Sequence, residues 1–192
     1  MLIQALCEYY EILDKEGKIA PKGYTKMPID YLICLTPEGD IEEIIDWRKR
    51  EEVNDKKGKK KVRYIPREEI LPERSQKPGI DLNIIEHRPL YIFGLNYTKG
   101  EFTPDDNTNK AKRSHEVFVK GNLDFLEGID SPVVNAFRNF LAKWEPKEQI
   151  YNSKLLNIAK DYSSSYYCFC LSGSINELLH KDSQINQRWK SY

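Results

Sequence analysis

The sequence lacks the short motifs that mark familiar catalytic and metal sites. It contains no glycine-rich phosphate-binding loop, no GxSxG and no HExxH. Its three histidines, His87, His115 and His180, are far apart in the chain, and a histidine without a partner is more often structural than catalytic. We therefore expect a protein that is not an enzyme and that needs no cofactor.

Cysteine is scarce, and long apolar runs are absent. Of the four cysteines, Cys7, Cys34, Cys168 and Cys170, the last two share one face of a predicted strand. No second Cys/His pair with zinc spacing accompanies them, so we expect buried thiols in a reduced compartment and no metal. No apolar run approaches the roughly 20 residues that cross a bilayer, and the start lacks the features of a secretory signal. We expect a cytoplasmic protein without membrane association.

Acidic and basic residues balance overall but not locally. Residues 1–46 carry ten acids and four bases, whereas residues 47–77 carry twelve bases and six acids. The basic segment contains KKGKKKVR, residues 56–63, with six cations and no acid. Two interpretations stay open: lysines that keep an exposed strand edge soluble, or cations that contact nucleic-acid phosphates.

The apolar patterns predict an α+β fold. A helix at the start, MLIQALCEYYEILDK, has one apolar face. The stretches MPIDYLICL and IEEIIDW predict a hairpin joined by the turn TPEGD, in which Gly39 adopts a left-handed conformation. The segment RKREEVNDKKGKKK predicts an exposed, mobile excursion, and VRYIP predicts a short strand after it. Residues 1–97 form the sheet-rich part of one domain with a mixed or antiparallel sheet.

Residues 98–192 are predicted to be mostly helical. One helix carries the apolar stripe Val117, Leu123 and Phe125–Leu126, and the next begins at Ser131 as N-cap with Pro132 in its first position. A shorter helix, the strand YYCFCL and a helix around SQINQRWKSY follow. We therefore expect one domain over residues 1–192 with a late strand in its helical part.

A polar loop, PERSQKPG, separates the apolar runs at residues 70–71 and 80–85. Arg74, Ser75, Gln76 and Lys77, with Asn83 just beyond, are residue types that read base edges. Glycine and proline suit a stiff loop that approaches a duplex closely. These residues are the candidate base contacts. The candidate phosphate contacts are Lys59, Lys60, Lys61 and Arg63.

Five segments in order along nearly the whole chain resemble one family. They are MLIQALCEYYE, GYTKMPIDYLICLTPEGDIEEIIDWR, LPERSQKPGIDLNII with LYIFGL, HEVFVKGNLDFLEGIDSPVVNAFRNFLAKWEP, and YYCFCLSGSINELLHKDSQINQRWKSY. They resemble the N-terminal region of the Csd-one family, the large subunit of the type I-C CRISPR surveillance complex (Cascade). The chain departs from the family in having His87-Arg88-Pro89 where a tryptophan usually follows the asparagine. It is also several times shorter, which suggests an N-terminal fragment, or a short viral decoy as the alternative.

The resemblance implies a non-catalytic subunit for antiviral defence. Such subunits recognise the protospacer-adjacent motif in double-stranded target DNA, help to open the duplex for R-loop formation, and support recruitment of the helicase–nuclease. Their partners are the other subunits of the guide-RNA complex. The alternative is an assembly-only or decoy module whose first helix and late helices bind those subunits without reading DNA. A third reading, an independent nuclease, is disfavoured because the sequence offers no metal-ligand cluster.

Overall fold

The computed structural model describes residues 2–16, 19–54, 57–74, 79–80, 83–104 and 108–191. The helices are α1 Leu2–Lys15, α2 Pro89–Phe93, α3 Lys110–Phe125, α4 Pro132–Lys143, α5 Ser153–Asn157 and α6 Ser183–Ser191. The strands are β1 Tyr24–Ile29, β2 Tyr31–Leu35, β3 Ile41–Asp46, β4 Lys49–Asn54, β5 Lys60–Ile65, β6 Arg67–Pro72, β7 Asn96–Thr98, β8 Glu101–Thr103, β9 Tyr167–Leu171 and β10 Ser174–Leu178. Helices and mixed sheets in one chain confirm the predicted α+β class.

The principal sheet has four strands in the order β10-β9-β2-β3. β2 pairs antiparallel with β3, as the predicted hairpin requires, and parallel with β9 from the far end of the chain. All five residues of β2 are buried, as expected for a central strand that is covered on both faces. The late strand therefore lies inside the sheet, next to the hairpin.

Helices cover this sheet and share its core. Phe137 and Phe140 of α4 pack against Phe169 of β9, with ring centroids 4.7 and 5.5 Å apart. Phe93 of α2 meets Tyr167 edge-on at 5.5 Å, an arrangement that aromatic pairs favour. One hydrophobic core thus draws its residues from both the sheet-rich and the helix-rich parts.

The stretch MPIDYLICL forms two strands rather than one, which corrects the prediction. β1 pairs with β6 in a separate two-stranded sheet, whereas β2 belongs to the principal sheet. Asp30 lies at the corner between them. Its backbone N–H donates to the Tyr166 carbonyl, and its carboxylate accepts from the Tyr166 N–H, both at 2.9 Å. These bonds satisfy the backbone where the chain changes sheets.

The predicted helices are present, but two details differ. The buried face of α3 includes His115, Phe118, Asn122 and Phe125. Phe125 and Leu126 are therefore buried as predicted, whereas Val117 and Leu123 are only half-buried. Ser131 precedes α4 as predicted, but its side chain makes no capping bond in the described structure. No helix in the described part of the chain combines the length and apolar character needed to span a membrane.

The turn between β2 and β3 provides a test of the packing. Gly39 has φ +84°, and a Cβ added there would overlap the backbone of Asn139 and Phe140 in α4. Gly39→Ala should lower the free energy of unfolding by about 1–2 kcal/mol because of the left-handed conformation. The overlap with α4 should lower it by about 1–3 kcal/mol more. Urea unfolding measures the total loss. Gly173→Ala is the matched control, because Gly173 has φ +75° and open space around it. Equal losses in both variants would contradict the packing of this turn against α4.

Candidate nucleic-acid interface

Strands β4 and β5 form a two-stranded hairpin that we call the basic ribbon, residues 49–65. The ribbon contains eight basic and three acidic residues. Its described residues are exposed on both strands, except for the half-buried Val53 and Ile65, so both faces are open to solvent. The segment predicted to be a mobile excursion is therefore mostly an ordered strand pair. The strand VRYIP was predicted correctly, but its partner β4 was not.

The pairing register divides the cations of the basic ribbon between its two faces. Lys61 pairs with Val53 and Arg63 pairs with Glu51, so Lys61 and Arg63 share one face. Lys60 lies on the other face, where its amine is 3.8 Å from a carboxylate oxygen of Glu52. Lys59 precedes β5 and is exposed. The four predicted phosphate contacts thus all lie on the ribbon, on both of its faces.

Arg48 holds the base of the ribbon against the principal sheet. Its guanidinium lies 5.1 Å from the ring centre of Tyr31 and 5.2 Å from that of Tyr64. It also binds the Asp46 carboxylate at 2.7 Å and the Asp161 carboxylate at 3.3 Å. The hydrogen bonds from Arg48 lower the pKa of Asp46. Burial, followed by the hydrogen bond to Asp161, raises the pKa of Tyr31 to about 12. The arginine therefore links the ribbon to β2, to the end of β3 and to Asp161.

A second arginine repeats this arrangement where the ribbon ends. The guanidinium of Arg67 lies 4.4 Å from the ring centre of Trp47, and its Nε donates to the Trp47 carbonyl at 2.6 Å. Cation–π contacts of this kind stabilise by about 0.5–2 kcal/mol. Sequence reasoning missed both arginines. No local signal marks them, because the rings they contact lie 16 to 20 positions away in the sequence.

The polar loop begins where β6 ends, away from the ribbon. Pro72 pairs with Tyr24 in the ladder of β1 and β6, and the Glu73 N–H donates to the Gly23 carbonyl at 2.8 Å. Arg74 is half-buried. Arg74 lies seven positions after Arg67, roughly 23 Å of extended chain. It therefore follows the end of β6 that is far from the ribbon.

Ser75, Gln76 and Lys77 lie outside the described residues. Their predicted role in reading base edges stays a prediction. The loop is followed by the last predicted contact, Asn83, which is buried and donates a hydrogen bond to Glu86 at 3.1 Å. A direct contact between Asn83 and DNA requires that bond to be replaced.

Asn83 belongs to a buried group that we call the Glu86 cluster, formed by Asn83, Glu86, His87 and Arg88. The Glu86 side chain is fully buried and accepts from the Arg88 guanidinium at 2.8 and 2.5 Å. Burial alone would raise the pKa of Glu86, but the hydrogen bonds and the positive charge of Arg88 lower it. Asn122 of α3 accepts from the Ile85 N–H at 3.0 Å. The cluster therefore fixes the chain that follows the loop to α3.

His87 is the neutral member of the Glu86 cluster. Its ring lies edge-on to Tyr166 with centroids 4.8 Å apart, and its Nε2 has no hydrogen-bond partner among the described residues. Burial lowers the pKa of His87 to about 4. The Glu86 charge opposes this shift, and the charges of Arg74 and Arg88 act in the same direction as burial. The Arg74 charge is therefore close enough to affect the pKa of His87 in the cluster.

Three of the four cysteines lie close together in the principal sheet. Cys34 and Cys170 face each other across β2 and β9, with sulfur atoms 2.9 Å apart, and Cys168 is buried beside them. Cys7 is exposed. Across the described ranges of the chain, no three His, Cys, Asp or Glu side chains are grouped as a metal site would require.

The lowered pKa of His87 predicts a loss of stability in mild acid. Below pH 6.5 the unfolded chain binds a proton at this residue that the folded chain refuses until pH falls to about 4. The free energy of unfolding should therefore fall by about 2 kcal/mol between pH 7 and pH 5 through this residue. Urea unfolding of His87→Gln should show a shallower decline in that interval. An identical decline in the variant and the unchanged protein would contradict a buried neutral His87.

Comparison with known proteins places the chain in a family. No curated protein matches the sequence. Residues 6–192 match the family described as CRISPR-associated protein (Cas_Csd1). That match covers almost the whole chain and agrees with the resemblance carried by the five sequence segments. The chain therefore belongs to the Csd1 family of CRISPR-associated proteins.

Proposed function

We propose that this chain is the DNA-recognition region of the large subunit of a type I-C CRISPR interference complex. It binds double-stranded target DNA beside the protospacer-adjacent motif, helps to separate the strands and carries out no catalysis. The observation that carries the proposal is the basic ribbon, an exposed hairpin with eight basic and three acidic residues in a CRISPR-associated protein.

The ribbon suits a duplex in both shape and charge. A two-stranded β-ribbon fits the major groove of B-form DNA, and cations on both faces reach the phosphates on either side of a groove. Lys61 and Arg63 share one face, and Lys60 lies on the opposite one. Each phosphate contact releases condensed counterions, which favours binding at low salt without regard to base sequence. The ribbon thus supplies affinity rather than motif selectivity.

Because the base of the ribbon is anchored, its phosphate contacts contribute more to DNA affinity. Arg48 is bound to Asp46 and Asp161, and its guanidinium lies within 5.2 Å of the ring centres of Tyr31 and Tyr64. A ribbon that is already oriented loses less conformational entropy when it binds than a disordered lysine tract does. Arg48 and Arg67 therefore act as positioning residues for the cations.

Motif selectivity is assigned to the polar loop. Its start is tied to Gly23 and the chain beyond it is tied to the Glu86 cluster. Arg74, Ser75, Gln76 and Lys77 lie between these attachments. Separating a base step costs a few kcal/mol, which phosphate contacts by the ribbon help to offset. A loop held on both sides can present a small set of side chains to base edges in a fixed direction.

The remaining steps belong to the assembled complex. Pairing between guide RNA and target strand reads the sequence beyond the short motif, the same division of labour that operates in a single-protein effector. In this scheme the chain starts R-loop formation, and the completed R-loop recruits the helicase–nuclease. The partners are double-stranded DNA and the other subunits of the guide-RNA complex.

Removal of three ribbon cations should weaken DNA binding regardless of sequence. In Lys60→Ala/Lys61→Ala/Arg63→Ala, the slope of log affinity against log salt should fall by about 0.9 for each lost phosphate contact. Titrations of motif-bearing and motif-free duplexes at several salt concentrations measure this slope. The matched control is Lys120→Ala/Lys147→Ala/Lys160→Ala, which removes the same charge from exposed positions outside the ribbon. If both triple variants lower the slope equally, the ribbon is not the phosphate-binding element.

Replacement of Gln76 should affect motif recognition selectively. Loss of one base-edge contact costs about 1–3 kcal/mol of discrimination. In the assembled complex, Gln76→Ala should therefore bind a motif-bearing duplex more weakly and leave binding to a motif-mutated duplex unchanged. Asn83→Ala is the contrasting variant, because loss of its bond to Glu86 should lower the melting temperature and weaken binding to both duplexes. Equal weakening on both duplexes by Gln76→Ala would exclude base reading by this residue.

A further inference from the structure

Helix α1 presents an uncovered apolar surface. Leu2 and Ile3 are each 77% exposed, Leu6 is 58% exposed and Tyr9 is 60% exposed. Half of the exposed large apolar side chains in the described part of the chain belong to this one helix. In contrast, α3 and α4 bury their apolar faces in the core. An exposed patch of this kind marks an interaction site.

The apolar side chains of α1 cover a wide arc. Leu2, Leu6, Tyr9 and Leu13 recur at four- and three-residue intervals, which aligns them along one stripe. At about 3.6 residues per turn, Ile3 and Tyr10 extend this stripe on one side and Ile12 extends it on the other. The resulting surface occupies about half of the circumference of the helix.

The polar side of α1 is net acidic, which disfavours phosphate-bearing surfaces. Glu8, Glu11 and one cation, Lys15, lie opposite the apolar stripe, and the first turn contains no charged residue. Helices that bind anionic lipid surfaces carry lysine and arginine on the polar side, and nucleic-acid interfaces are positively charged. The charge of α1 therefore favours a protein as its partner.

The shape of the surface favours a groove over a second copy of the same helix. A helix of 14 residues is roughly 21 Å long. Two such helices side by side touch along a single stripe, which falls short of the area of about 1,200 Å² at which stable interfaces begin. A groove has two walls and covers the stripe together with both flanks. Recognition of an amphipathic helix in an apolar groove is a recurrent mode of protein binding.

We propose that α1 is an anchor helix that inserts Leu2, Leu6, Tyr9 and Leu13 into an apolar groove on a neighbouring protein subunit. The inference rests on the proposed function, because it takes the neighbour from the same guide-RNA complex. It separates two tasks within the chain: α1 holds the chain to the complex, and the basic ribbon holds the DNA.

The experiment compares two aspartate substitutions on opposite sides of α1. Leu6→Asp places a charge in the stripe, and Gln4→Asp places the same charge on the polar side. The probe is the type I-C guide-RNA complex purified without this chain. Leu6→Asp should raise the dissociation constant at least tenfold, and Gln4→Asp should change it less than twofold. Unchanged docking of Leu6→Asp overturns the inference.

Other occupants of the stripe give different results with the same variants. If α1 packs on its own chain, Leu6→Asp lowers the melting temperature of the free chain. If a second copy is the partner, the free chain sediments as a dimer and Leu6→Asp makes it monomeric. If a membrane is the partner, phosphatidylglycerol vesicles bind the unchanged chain and not Leu6→Asp. Each of these results overturns the inference.

Failure of the DNA-recognition proposal remains distinguishable from failure of this inference. In a gel-mobility assay at low salt, the Leu6→Asp chain should retard duplex DNA as much as the unchanged chain does. The ribbon triple variant should dock normally to the guide-RNA complex. If the ribbon variant binds duplex DNA normally while Leu6→Asp fails to dock, the anchor helix stands and the DNA proposal fails.

Discussion

The parallel pairing of β2 with β9 is the contact on which the rest of the structure depends. It joins residues more than 130 positions apart and places Tyr31 against Tyr167, with ring centroids 5.7 Å apart. Both candidate DNA-binding regions are attached to this pair. The ribbon is attached through Arg48, which binds the Tyr31 hydroxyl at 3.1 Å. The chain after the loop is attached through the His87 carbonyl, which accepts from the Tyr167 N–H at 2.9 Å.

This dependence explains which parts of the fold could be predicted from the sequence. Amphipathic helices and the β2–β3 hairpin follow from patterns within a dozen residues, and the turn at Gly39 has its own local signal. The pairing of β2 with β9 and the corner at Asp30 follow from contacts between distant segments, so no local pattern predicts them. Residues 27–35 were predicted as one continuous strand because the bonds that divide them come from Tyr166.

The candidate site also contains residues that a local sequence pattern identifies and residues whose role only the fold reveals. Composition alone identified the lysines of the ribbon, because six cations in eight residues form a strong local signal. Composition could not reveal that Arg48 and Arg67 fix the ends of the ribbon, since each acts through an aromatic ring that only the fold brings near. Asn83 shows the converse. Its residue type suits a base contact, but the fold buries it and commits its amide to Glu86.

The uneven distribution of charge along the sequence corresponds to separate structural elements. The acidic excess of residues 1–46 includes Glu8 and Glu11 of α1, and the basic excess of residues 47–77 lies mainly on the ribbon. Charges on an exposed surface are screened over about 10 Å, so each region acts on what lies next to it rather than through the net charge of zero. A net acidic helix repels phosphates that a basic ribbon attracts. If the ribbon binds DNA as proposed, this difference in charge would favour DNA at the ribbon over DNA at α1.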